Sequence, residues 1–418
     1  MSDDVLVGPA VADRRARGAV AVLFLTNGAL FANLLPRYPE IKSDLGMGNA
    51  AYGLAVAAFP TGAIVAGLAA GALTRRFGSA RVAVAGTLLT AAGILVAGLA
   101  ESVLIFASML FLAGAMDSVT DVGQNAHGLR VQRRYGRSII NSFHAIWSIG
   151  AVAGGSMAAG AIALGLSRGQ HLVISGVLFA ALACAALRFC LPGPDTEPDA
   201  RAVPDSEAGR ADAAVAGKAT AAGRPGGPRS VYYVLAALVL IAMAGTLVED
   251  AGNSWAALYL SDSLDASVTL AASGYIALVG AQFIGRILGD RLVDRFGQRA
   301  VARAGGLIAA AGMGLALAVP TVPGTVLGFA AAGLGVATLV PAAMHEADEL
   351  PGLRPGSGLT IVSWLMRLGF LLSPPAVGLV ADHTSLRMGL LVVPLAGLVV
   401  VALAGVLQTR RTSVSGRS

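Results

Sequence analysis

Charge in this chain falls in clusters, and what lies between the clusters limits the fold more than any other feature. Stretches without Asp, Glu, Lys or Arg run over 19–36, 51–74, 82–100, 102–116, 138–167, 169–187, 230–248, 266–285, 304–345, 355–366, 368–381 and 388–409. A helix needs about 20 apolar residues to cross a bilayer's hydrocarbon core. The 304–345 stretch is twice that length and is interrupted by Pro320, Pro323 and Gly324, so it reads as two spans and a tight turn. Only Arg367 separates 355–366 from 368–381, which reads as one span with a buried charge. The short 102–116 stretch continues apolar through Asp117 and Asp121. The sum is an all-α membrane protein with twelve transmembrane helices. Charged residues make up 13% of the chain, against about 25% in a soluble domain.

The formal charge of +6 invites a nucleic-acid partner, but the basic residues follow the membrane instead. With the N-terminus inside, 24 of the 30 Lys and Arg fall in cytoplasmic segments. Arg37, Lys42, Arg168 and Arg387 fall outside, and Arg286 and Arg367 lie within spans. That asymmetry predicts both termini in the cytoplasm and a multi-pass protein of the cytoplasmic membrane. The apolar run after Arg14, Arg15 and Arg17 is too long for a signal peptide and reads as an uncleaved first span.

Residues 192–229 break the pattern. They open on Pro192-Gly193-Pro194, close on Arg224-Pro225-Gly226-Gly227-Pro228-Arg229, and show no periodicity between. The composition predicts a flexible cytoplasmic linker. It divides the chain into an N-terminal tail (1–18), a six-helix bundle (19–191), the linker, a second six-helix bundle (230–409) and a C-terminal tail (410–418). The halves echo each other: Arg76-Phe77-Gly78 follows span 2 and Arg295-Phe296-Gly297 follows span 8. Pairs of glycines four apart, such as Gly150 and Gly154 or Gly285 and Gly289, place small faces on several spans, where helix backbones can approach closely.

Two pseudo-symmetric six-span halves joined by a long inner loop match the plan of major facilitator transporters. The loops after spans 2 and 8 carry the resemblance further. Gly71-Ala72-Leu73-Thr74-Arg75-Arg76-Phe77-Gly78 resembles that family's signature, with Arg75 where an Asp is usual. The second copy, Leu292-Val293-Asp294-Arg295-Phe296-Gly297, keeps the Asp, while Asp290 replaces the leading Gly. Further segments resemble a group of bacterial permeases distantly similar to the fucose permease. They include Asn33-Leu34-Leu35-Pro36-Arg37-Tyr38, Asp121-Val122-Gly123-Gln124-Asn125 and Ser142-Phe143-His144-Ala145-Ile146-Trp147. The resemblance implies transport by alternating access. It also implies a cytoplasmic gate built on Gly71, Arg75, Arg76, Gly78, Asp290, Asp294, Arg295 and Gly297, to which Arg286 is assigned by its place near the end of span 8.

Charges inside spans are costly and usually face a cavity. Asp117, Asp121 and Asn125 are spaced i, i+4, i+8 on span 4 and share one face. Desolvation and mutual repulsion favour the protonated form of such carboxylates, so this face could load and release protons. The alternative is hydrogen bonding to backbone or a neighbouring helix. The resemblance favours Asp121 as the proton carrier. On span 7, Glu249 and Asn253 share a face and Asp250 points about 100° away. Glu249 reads as a third proton-coupling candidate, or as part of a polar cluster at the outer end. Arg367 needs an anionic solute or a span carboxylate. His144 reads either as a packed hydrogen-bonding residue or as a proton relay. Asn27 and Trp364 are further candidates for the cavity wall, and His127 reads as interfacial.

No metal-ligand spacing, phosphate loop or nucleophile motif stands out, so neither a metal, a cofactor nor a catalytic residue is expected. The expected partners are a small solute, protons and the bilayer, with the chain acting as a monomer. Proton symport and proton-driven export both remain open, and the more distant readings are a membrane-embedded enzyme and a non-transporting sensor.

Overall fold

The computed structural model describes residues 11–135, 139–193, 228–351, 353 and 357–407. Residues 1–10 of the expected N-terminal tail, 194–227 of the expected linker and the whole expected C-terminal tail lie outside them. Among the described residues, twelve helical spans are long and apolar enough to cross a membrane. Spans 1 to 6 are Val11–Asp44, Asn49–Phe77, Ser79–Gly98, Val103–Tyr135, Ser142–Ala163 and Arg168–Leu187. Spans 7 to 12 are Val231–Ser263, Val268–Gly289, Gln298–Ala318, Val322–Asp348, Ser357–His383 and Leu386–Val406. Span 6 ends, and span 7 begins, on the face to which 194–227 connect; this is the linker face, and the opposite one is the far face.

Spans 1 to 6 pack chiefly on one another, span 4 against spans 2 and 3 and span 5 against span 1. Spans 7 to 12 do the same, with span 10 against spans 8 and 9 and span 12 against span 9. Small residues permit the closeness. Gly150 and Gly154 sit directly against the carbonyls of Leu25 and Ala29 on span 1, where a Cβ would have no room.

The repeated Arg-Phe-Gly sequence folds twice into one joint. Span 2 ends at Gly78 with φ 89° and ψ 138°, and the helix Val268–Phe296 that contains span 8 ends at Gly297 with φ 84° and ψ 154°. This positive-φ region is open to glycine at little steric cost. At each joint the glycine N–H closes the last turn, on Thr74 at 2.9 Å and on Val293 at 2.7 Å. Each preceding Arg lies over its own Phe ring, at 5.3 Å for Arg76 and 5.4 Å for Arg295.

Spans 2 and 11 are each made of two helices. Span 2 consists of Asn49–Val56 and Ala58–Phe77. Pro60 has no N–H for the Val56 carbonyl and crowds it, which interrupts the helix at Ala57. The outer piece packs mainly on span 11 of the other half, and the inner piece on span 4 of its own. Span 11 consists of Ser357–Leu365 and Arg367–His383, so the single span expected there is interrupted beside its charge. The Met366 carbonyl at the break accepts the Thr246 hydroxyl at 2.8 Å. Broken helices of this kind are tolerated in a membrane where they are buried or line a cavity.

The far face is closed across the two halves. Tyr52 donates to the Ser254 carbonyl at 2.7 Å and meets the Trp255 ring edge-on at 4.9 Å. Lys42 pairs with Asp262 at 3.4 Å. Asp382 of span 11 accepts the N–H groups of Asn49 at 2.9 Å and Ala50 at 2.8 Å, which caps the outer piece of span 2. Arg37 pairs with Glu40 at 3.0 Å, Arg168 with Asp44 at 2.8 Å, and Arg387 donates to the Ala318 carbonyl at 3.1 Å. All four basic residues expected outside therefore have partners on this face.

Candidate functional site: the central cavity

Between the halves lies a cavity of about 320 Å³. Its polar wall on the first half is one connected network. The Asn27 amide on span 1 donates to Asp117 Oδ1 on span 4 at 2.7 Å. The Asn27 carbonyl accepts from the Trp147 indole at 2.8 Å and from Gln124 at 3.3 Å. Gln124 also reaches Asp121 Oδ1 at 3.4 Å, and Asn125 donates to the same oxygen at 2.9 Å. One turn of span 4 separates Asp117 from Asp121, about 6 Å along the axis. Asp117 lines the cavity, whereas Asp121, nearer the linker face, is exposed. His144 is also exposed on that side, with its ring edge-on to Phe24 at 5.2 Å. The cavity is closed at the far face, and Asp121 and His144 are exposed on its linker side.

The second half supplies Glu249, Asp250 and Asn253 from span 7, Tyr275 and Gln282 from span 8, and Arg367 from span 11. Gln282 donates to Glu249 Oε2 at 2.7 Å, and Arg286 pairs with the same oxygen at 3.7 Å. Arg286 also donates to the Ser148 hydroxyl of the first half at 3.3 Å. Ser254 donates to Asp250 at 3.4 Å. Arg367 lines the cavity and acts electrostatically on Asp121, but among the described residues it makes no hydrogen bond or ion pair. Phe31 and Phe59, stacked at 4.0 Å between centroids, form an apolar patch of the wall, to which Phe370 adds.

Three placements differ from expectation. Arg286, assigned to the gate, pairs with Glu249 and donates to Ser148, because its long side chain reaches back toward the cavity. Trp364 is 51% exposed and lies outside the cavity wall, since the break at Met366 places it on the other piece of span 11 from Arg367. His127 is fully buried, bonding the Ser79 hydroxyl at 2.9 Å and the Leu191 N–H at 3.1 Å. Arg75, Arg76, Asp294 and Arg295 are exposed at the linker-face ends of their helices, beside the glycine joints. Gly71, at open space save for the Arg75 side chain, belongs to the same end.

Asp250, Gln124 and Gln282 were not anticipated as site residues. Gln124 had a signal, lying three residues from Asp121 on the same helical face. Asp250 had one as well, being a charge within a span, whereas Gln282 had none, because its role depends on a neighbouring helix.

The Major Facilitator Superfamily profile matches residues 20–292 and 234–418. The chain belongs to this superfamily. It is 28% identical over 389 residues to the uncharacterized transporter y4wD of Sinorhizobium fredii, covering 93% of this chain and 97% of that one. It is 28% identical over 395 residues to the membrane protein MosC of Rhizobium meliloti, covering 94% and 90%. Among solved structures, the nucleoside transporter NupG superposes with a TM-score of 0.67 at 13% identity, over 95% of this chain and 98% of that one. A D-xylose-proton symporter superposes with a TM-score of 0.63 at 15% identity, over 94% and 95%. At these identities the structures share the fold alone. As a superfamily member the chain is a membrane transporter and not an enzyme.

Proposed function

We propose that this transporter is proton-coupled, moves a small polar solute by alternating access, and acts as a monomer in the cytoplasmic membrane with its linker face inside. The observation that carries the reading is the network from Asp117 through Asn27 and Gln124 to Asp121. It joins an acid in the cavity wall to an acid in the open mouth. The amides hold the two carboxylates in place, and each carboxylate can take up and release a proton as access alternates. On this reading the conformation described is the inward-facing one. The exposed ends around Gly78 and Gly297, with Arg75, Arg76, Asp294 and Arg295, meet when the cavity turns outward.

The support for orientation is the charge distribution, 24 basic residues on one side against four on the other. The support for a monomer is that the two halves of one chain face each other across the cavity.

The test begins with purified protein screened by thermal melting against small polar solutes. A stabilising solute is then followed in radiolabelled form into proteoliposomes under an imposed pH gradient. Saturable accumulation that a protonophore collapses is the expected result. Saturable flux indifferent to the pH gradient and to the protonophore would refute proton coupling.

A further inference from the structure

Resting on the reading of this cavity as the solute site, we propose that the solute is a small organic anion: an aromatic carboxylate whose carboxylate is held by Arg367.

The argument starts from what holds each charge. Arg286 has Glu249 and Ser148, and the four far-face basic residues have their own partners. Arg367 lines the cavity and among the described residues has no partner within bonding distance. A guanidinium drawn away from water needs an anion or acceptors around it. The protein's own cavity acids are already engaged. Asp117 is held by Asn27 at 2.7 Å, Glu249 by Gln282 at 2.7 Å and by Arg286, and Asp250 by Ser254 at 3.4 Å. Unfilled bonding capacity remains on the guanidinium and on the Asn253 Oδ1 acceptor, and the guanidinium's five planar donors fit a carboxylate in two-point fashion. A cationic solute would instead leave Arg367 unpaired and facing a like charge.

The rest of the wall describes the body of the solute. Phe31 and Phe59 form a stacked pair, and Phe370 stands one turn from Arg367 on the same piece of span 11. A ring packed there leaves its carboxylate within reach of the guanidinium. A volume of about 320 Å³ suits a single-ring molecule. Moving such an anion with one proton carries no net charge.

The experiment uses purified full-length protein in detergent and matched ligands that differ in head group. Benzoate, phenylacetate and 3-phenylpropionate are compared with benzylamine, phenethylamine and benzyl alcohol by thermal melting. At least one carboxylate is expected to raise the melting temperature saturably, and the amines and the alcohol to leave it unchanged. Arg367→Gln should weaken carboxylate binding by roughly 10- to 100-fold. Arg367→Lys keeps the charge without the fork and should fall between. The inference is overturned if no carboxylate stabilises, if the amines do so equally, or if Arg367→Gln binds carboxylates like the parent. Should Arg367→Gln fail to give a folded protein, parental binding by Arg367→Lys overturns it in its place. Binding is read without any gradient, so a failure of proton coupling in liposomes leaves this result standing.

Discussion

Asp382, at the end of span 11, accepts the backbone N–H of Asn49 at 2.9 Å, so a side chain of one half caps a helix of the other. The cap exists only while the far face is shut. A lost N-cap costs about 1 kcal/mol, which is roughly a fivefold shift in an equilibrium. Asp382→Ala should therefore favour the far-open state. In a variant lacking Cys184 and Cys190 and carrying Ser254→Cys, labelling from the far side should speed up severalfold. Asp382→Asn, which can still cap, should stay near the parent. An unchanged rate with Asp382→Ala would show that the cap does not hold the face closed.

Gly53 and Pro374 make a sharper case. A Cβ on Gly53 would collide with the Pro374 carbonyl, and one on Gly378 with the carbonyl of Asn49. Gly53→Val should prevent far-face closure while leaving each half intact. Turnover is expected to be lost, with the Ser254→Cys probe labelled rapidly. Normal turnover in a well-expressed Gly53→Val protein contradicts the closure described.

Asp121→Asn should abolish gradient-driven transport and spare counterflow of unlabelled against labelled solute. The substitution keeps shape and polarity, and Gln124 and Asn125 retain an acceptor. Full gradient-driven transport in this variant would exclude Asp121 from coupling and move attention to Glu249.

The orientation is open to a direct check. An impermeant maleimide applied to intact cells should label Ser263→Cys, exposed at the far face, and spare Arg76→Cys, exposed at the linker face. The reverse pattern would invert the molecule in its membrane.

The spans were legible because most contain a long run without charge, a property a single sequence displays directly. The shared face of Asp117, Asp121 and Asn125 was legible too, since helical period relates residues of one helix. What the period cannot relate is one helix to another. Arg286 lay near a span end on paper, yet its partners come from spans 7 and 5. Asp250 was set aside by its angle from Glu249, yet both reach the cavity wall. Trp364 was misplaced because nothing around Met366 announces a broken turn, whereas Pro60 did offer a reason for the break at Ala57.

That break changes how the molecule can be divided. The eight residues Asn49–Val56 belong to the first half by sequence and to span 11 by packing. While the far face is shut, the mechanical boundary between the two bodies therefore crosses span 2 at Ala57. Span 2 works as a jointed connecting rod, its short arm clamped to one body and its long arm to the other. Rocking of the bodies must bend that joint or slip the clamp. A crosslink fixing the short arm to span 11 would tell which, since a bending joint would still turn over and a slipping clamp would stop.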